Sequence, residues 1–123
     1  MRLESRDSIN QSGIATVQLD PVEARALRAA LGEVCFGFTV PEFSRRIGGS
    51  EEDAQRLFAR FDQLGDQPAT IVLTEREIRL LKNAHAATLK ELGNEEYFTR
   101  TGVEFSCGQG VLAALDSVLN GGI

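Results

Sequence analysis

Ala15-Thr16-Val17-Gln18-Leu19, followed by Glu23, Arg25, Leu27 and Arg28, returns 54 residues later as Ala69-Thr70-Ile71-Val72-Leu73, followed by Glu77, Arg79, Leu81 and Lys82. The echo continues at an offset of 55, where Phe43-Ser44-Arg45 answers Phe98-Thr99-Arg100, and Leu57, Ala59 and Leu64 answer Leu112, Ala114 and Leu119. One inserted residue reconciles the two offsets. Self-similarity at a fixed period marks a repeated structural unit, so the chain reads as an internal duplication. At 123 residues it fits one domain, and a half of about 50 residues buries too little surface to be comfortably stable alone. The two copies are therefore expected to share one core, with a polar arm at 1–13, a first repeat at 14–65 and a second at 66–123.

Working outward, Ile14 to Leu19 alternates apolar and polar as a short strand does. Asp20-Pro21-Val22-Glu23 then signals a helix start, with an Asp cap, proline at the first helical position and Glu three residues after the cap. Leu27, Ala30, Leu31, Val34, Cys35 and Phe38 keep the spacing of one apolar helix face, and Gly37 loosens or ends that helix. Thr39-Val40-Pro41-Glu42 reads as a second capping box, opening a short helix with Phe43 and Ile47 one turn apart. After Gly48-Gly49, Ser50 caps a third helix with Asp53 at its third position and Ala54, Leu57, Phe58, Phe61 and Leu64 on its buried stripe.

The second copy repeats the order. A strand at Ala69 to Leu73 precedes a Thr74 cap with Glu77 and a long helix to about Leu92, carrying Ile78, Leu81, His85, Thr88, Leu89 and Leu92 on one face. Gly93-Asn94 separates it from a short helix with Tyr97 and Phe98, Ser106 with Gln109 opens the last helix, and Asn120-Gly121-Gly122 closes it. The expected fold is mainly α within the α+β class: a strand, long helix, short helix, helix unit present twice about a pseudo-twofold axis. Its two short strands pair as an antiparallel ribbon, and because such a ribbon is marginal alone the helices must pack against it. In this reading Glu23 and Glu77 complete capping boxes, while Arg25 and Arg79 reach acids across the pseudo-twofold.

Composition sets the function classes. Hydrophobic residues at 42% and charged residues at 25% describe an ordinary globular domain. No apolar run approaches the ~20 residues that span a bilayer, and Met1 to Ser8 has mixed charge with no apolar stretch behind it, so no secretory signal is read and a cytoplasmic location is expected. Cys35 and Cys107 occupy non-equivalent places in the repeats and read as reduced thiols. The net charge of -5 is shared, with 8 basic and 10 acidic residues up to Gly65 and 5 and 8 afterwards. That balance opposes electrostatic capture of nucleic acid and favours basic or neutral partners.

Ala29-Ala30-Leu31-Gly32-Glu33-Val34-Cys35-Phe36-Gly37, followed by Phe43 and Arg46-Ile47-Gly48, resembles a signature of small bacterial proteins, "N-A-L-N-E-V-C-x-G" followed by "F-x-x-R-I-G". The match covers about 20 residues of the first copy and departs at Gly32, where the signature has a polar residue. The resemblance implies a recurring scaffold and transfers no activity.

Three constellations bear on chemistry. Phe43 to Leu57 resembles a helix-turn-helix, with glycine at the turn and apolar residues spaced to pack the second helix on the first. Its second helix starts with Ser50, Glu51, Glu52 and Asp53, which opposes a polyanion, whereas Arg45, Arg46 and Arg56 are the residues a DNA-binding version would use. His85 falls on the apolar stripe where the first copy has Leu31, which reads as a packed core histidine. Cys107, after a capping serine at a helix start, is the best nucleophile candidate, and His85 could approach it as a Cys-His dyad. One His and two separated Cys supply no recognisable zinc ligand set, and Gly102, Gly108 and Gly110 make no phosphate loop, so no metal or cofactor is expected.

The leading expectation is a non-enzymatic protein–protein interaction module, in one form a neutraliser of a basic partner of the immunity or antitoxin type. Its partner-binding candidates are Glu51, Glu52, Asp53, Glu95 and Glu96, in company with Asp62, Glu91 and Glu104. A helix-turn-helix DNA-binding regulator and a thiol-dependent enzyme or redox sensor at Cys107 are the alternatives. A monomer or a homodimer is expected, since the duplication already places a twofold inside the chain.

Overall fold

The computed structural model describes residues 1–7, 13–65 and 67–120. Most of its described residues are helical. Among the described residues three strands, β1 (Arg2–Asp7), β2 (Ile14–Leu19) and β3 (Ala69–Thr74), form one antiparallel sheet in the order β1-β2-β3. Five α-helices accompany it among the described residues: α1 (Pro21–Gly32), α2 (Phe43–Ile47), α3 (Glu51–Asp62), α4 (Glu75–Thr101) and α5 (Phe105–Leu119). A π-helical turn, Glu33–Gly37, continues α1.

The expected ribbon of the two echoed strands is present as β2 and β3. Val17 faces Ile71, Ala15 faces Leu73 and Leu19 faces Ala69. Equivalent residues of the two echoed segments thus meet at Val17 and Ile71, and the register is symmetric about that pair. Ala15, Val17, Leu19, Ile71 and Leu73 all point inward and are buried, as period-2 alternation requires.

The expectation of a loose or weakly docked arm is corrected for Arg2–Asp7, which pairs antiparallel with β2, with a register shift between Leu3 and Ser5. A strand with a partner on one side only leaves a row of backbone N–H and C=O groups open, and β1 satisfies that row on β2. Residues 8–12 of the arm and the Gly121-Gly122 stop lie outside the described residues.

Local capping explains the helix starts. Asp20 with Glu23, Ser50 with Asp53 and Thr74 with Glu77 each form a complete capping box. Substituting such a cap typically costs about 1 kcal/mol. Two expected caps are corrected. The short helix α2 has Glu42 at its N-cap, in a left-handed conformation with φ 52° and no side-chain cap bond, in place of Thr39. A box starting at Thr39 would need helical backbone at Val40, which its following proline disfavours. The last helix starts after Glu104, not Ser106. Phe105 packs edge-to-face on Tyr97, with ring centroids 5.8 Å apart, and is drawn into the first turn.

The core fills the space between sheet and helices. Leu27, Leu31, Ile78, Leu81 and Leu115 are essentially inaccessible, each worth about 1.5–3 kcal/mol of burial. α1 packs against α3 and α4, and α4 against α5. Gly93, with φ 70° and ψ -175°, bends α4 where the sequence separates two helices. No described helix is long and apolar enough to cross a membrane.

Candidate interaction site

α1 loses its regular winding at Glu33, and the chain leaves the π-turn in extended backbone at Phe38. Widened turns of this kind place side chains off the regular helical phase and frequently mark functional sites. Glu33 to Gly37 of the quoted signature form this turn, and contacts give a physical reason for Glu33 and Gly37. Arg100 Nε donates to Glu33 Oε2 at 3.2 Å and its Nη2 lies 2.9 Å from Oε1, joining the π-turn to the far end of α4. A Cβ on Gly37 would run into that carboxylate, and Arg100 Nη2 stands 3.2 Å from the same point. Glycine at 37 is thus what lets the ion pair close over the turn. Gly32, the departure from the signature, leaves room for Phe58, whose Cε1 would stand 3.2 Å from a Cβ there.

Phe58 in turn supports Phe36. Their rings meet edge-to-face at 5.8 Å and 77°, while Phe36 keeps 67% of its surface exposed. Beside it opens a hollow of about 260 Å³, lined among others by Cys35, Phe38, Val40, Phe43 and Glu51. A broader, shallower depression bounded by Glu42, Phe43, Ser44, Arg45, Glu51 and Glu52 adjoins it through Phe43 and Glu51. An exposed aromatic ring thus sits beside carboxylates at the start of α3. Burial pushes the Cys35 thiol up to about 11, and the Glu51 carboxylate adds to the shift. At neutral pH it faces the hollow as a protonated thiol, a poor nucleophile.

The acidic candidates divide by environment. Glu51 and Glu52 are exposed in the first turn of α3. Asp53 is committed: its Oδ2 accepts from Ser50 N–H at 3.0 Å and its Oδ1 from Arg56 at 2.6 Å. Those bonds hold its carboxyl below the usual range, the Ser50 backbone bond contributing most. Glu95 and Glu96 are exposed on a different element, the part of α4 beyond Gly93.

The helix-turn-helix-like corner exists as α2 and α3 joined through Gly48, whose φ of 88° requires glycine. Arg45 lies 3.3 Å from Glu42, Arg56 is engaged by Asp53, and Arg46 is exposed on α2. Arg79 does not reach across the pseudo-twofold as expected; it pairs with Glu75 one turn earlier at 2.7 Å, because i,i+4 neighbours share a helix face. Ion pairs that join the halves include Arg100 with Glu33, Arg60 with Glu77 and Arg76 with Asp53.

His85 is fully buried, and its Nε2 meets the Gly108 carbonyl at 2.7 Å. A carbonyl only accepts, so Nε2 carries the proton and Nδ1 is the bare nitrogen. Burial lowers the His85 pKa, with the Gly108 bond opposing. Cys107 is exposed in the first turn of α5, and no hydrogen bond joins it to His85 among the described residues. Tyr97 packs its ring edge-on to His85 at 6.1 Å, and burial pushes its hydroxyl up to about 12. A Cβ on Gly108 would meet the Tyr97 ring and hydroxyl at 2.7–2.8 Å, so the glycine here permits close helix packing. Among the described residues no three His, Cys, Asp or Glu side chains come together as a metal site.

Sequence reasoning missed Phe36 and Arg76. The available signal for Phe36 was a large aromatic side chain next to Cys35 and outside the apolar stripe. Arg76 had none, since its contact with Asp53 spans the two repeats. No family model, curated protein or solved structure matches this chain.

Proposed function

We propose that this protein is a non-enzymatic interaction module that receives a basic segment of a partner protein carrying an apolar side chain. The observation that carries the reading is Phe36, a largely exposed aromatic ring propped on Phe58 beside the hollow that Glu51 borders. Rigid aromatic side chains are the usual anchors of protein interfaces, and neighbouring charges select the partner's sign. Glu51 and Glu52 supply negative charge next to the anchor, in keeping with the net charge of -5. The specific form proposed is a cytoplasmic neutraliser of a basic partner, of the immunity or antitoxin type. The engagement of Asp53 and His85 in internal contacts supports assigning this basic-segment recognition to the π-turn and the exposed Glu51 and Glu52 of α3.

The test is capture from a lysate at physiological salt by the tagged protein and two variants, Phe36→Lys and Glu51→Lys with Glu52→Lys. One stoichiometric basic protein retained by the parent and lost by both variants is the expected result. Retention of the same protein by both variants, or capture of nucleic acid alone, overturns the reading.

A further inference from the structure

The internal symmetry exposes an imbalance at the sheet. β1 lies along the outer edge of β2, and the symmetry of the β2–β3 register maps that place onto the outer edge of β3. Among the described residues no strand occupies it. Thr70, Val72 and Thr74 are exposed along β3, with Val72 51% exposed. In place of a strand, the Arg60 side chain reaches over from α3, donating from Nη2 to the Val72 carbonyl and from Nη1 to Glu77. A charged side chain laid on an open edge is a common protection against unwanted pairing, and it is reversible.

A hollow of about 240 Å³ lies beside this arginine, floored by Leu57 and Leu80 and rimmed by Arg56, Arg60 and Arg76. The facing carboxylates, Asp53 and Glu77, are each held through one oxygen by a helix-cap N–H, from Ser50 at 3.0 Å and Thr74 at 2.9 Å. Three guanidinium groups therefore share two fixed carboxylates, with the exposed Glu52 a further 3.9 Å from Arg56.

From this edge and this charge we infer a second docking surface, which takes an extended, acidic segment of a protein partner as a fourth strand along β3. The segment's backbone replaces Arg60 at the Val72 carbonyl, and its carboxylates meet Arg56, Arg60 and Arg76, which bind carboxylates in bidentate fashion. Charge selects this occupant over a second copy. Apposing two β3 edges about a twofold would bring Arg60, anchored at the middle of the strand, against its own image. A row of backbone donors and acceptors is matched by a peptide and not by a nucleic acid. The surface uses residues other than the Phe36 anchor, and its existence does not depend on that reading.

Panning a random peptide library on the full chain tests it. Recovered peptides should be rich in Asp and Glu at alternate positions and should protect β3 amides from hydrogen exchange. They should bind about tenfold or more weakly to Arg60→Gln, as loss of a hydrogen bond to a charged group predicts. Arg56→Gln with Arg76→Gln provides a second test should Arg60→Gln disturb the fold. Recovery of no peptide, of peptides lacking carboxylates, or of binders indifferent to both variants overturns the inference. So does retention of single-stranded DNA in place of peptides, lost in the same variants.

Discussion

The two long helices are interrupted at nearly equivalent places by different means. In the first half α1 widens into a π-turn and the chain leaves it in extended backbone at Phe38. In the second half a single residue, Gly93, takes a left-handed φ, and helical structure resumes at once. At the echo's offset of 54, Phe36 answers to Lys90 and Cys35 to Leu89. The first half therefore presents an aromatic ring and a hollow where the second presents an ordinary charged surface. In the core the echo holds at Val17 with Ile71 and at Leu27 with Leu81, all four buried. The two segments differ in the surface after the long helix, and the candidate site lies there.

The comparison is most severely tested at Tyr97, beyond the Gly93 bend. Its full burial between His85 and Phe105 predicts that Tyr97→Ala lowers unfolding free energy by about 3–5 kcal/mol. Urea unfolding followed by circular dichroism measures it. A loss below about 1 kcal/mol would mean that the segment beyond Gly93 is not held as described, since large-to-small core changes rarely cost so little.

Next comes Gly37→Ala, which drives a methyl group into the Glu33 carboxylate that Arg100 holds. A cost of about 1–3 kcal/mol is expected from overpacking and from disturbing a partly shielded ion pair. Adding Glu33→Ala should recover part of it, giving a non-additive cycle. Gly93→Ala meets nothing within 4 Å, and its cost comes from the backbone alone: φ 70° with ψ -175° is a region that essentially only glycine occupies, and an alanine held there costs about 1–3 kcal/mol. Glu33→Ala should leave the Gly93→Ala loss unchanged, and equal recovery at both glycines would remove the distinction drawn between the two interruptions.

The buried His85 gives the second half a pH dependence that Leu31, its counterpart, cannot give the first. Burial lowers the folded-state pKa below the unfolded value of 6.5, so the unfolded chain takes up the proton first. Stability should be complete above pH 6.5 and fall as pH drops from there through the folded pKa. Asp53, whose carboxyl is also lowered, adds its loss in a separate range, as pH falls below its ordinary 3.8. Stability curves of His85→Leu should be flatter just below pH 6.5 than those of the parent. An unchanged slope would show that His85 is not held neutral.

The smallest stability effect is expected at Phe36→Lys, which copies the second half's residue into the first. An exposed side chain replaced by another should change unfolding free energy by no more than about 0.5 kcal/mol, while partner capture is lost. A large loss of stability would make Phe36 a structural residue and remove the proposed anchor.

Periodicity and capping made most of the fold legible. Asp20 with Glu23, Ser50 with Asp53 and Thr74 with Glu77 are caps that act within three residues, and the structure has all of them. The apolar stripes of α1, α3 and α4 likewise follow from helical spacing alone. Thr39 and Ser106 failed as caps because a following proline and a remote aromatic contact took precedence over the local pattern. The candidate site was less legible: Glu51 and Glu52 were readable as exposed acids, but Phe36 becomes an anchor only through Phe58, which arrives from another helix.

The sequence by itself determined the mainly α class, the strand pairing of the two echoed segments and the faces that turn inward, because these depend on spacing and on bonds between near neighbours. Only the tertiary structure decided that Arg2–Asp7 joins the sheet, that Asp53 is consumed by capping and arginine contacts, and that β3 keeps an open edge guarded by Arg60. Each of these depends on which groups far apart in the chain compete for the same partner, and that competition is settled only when the elements pack.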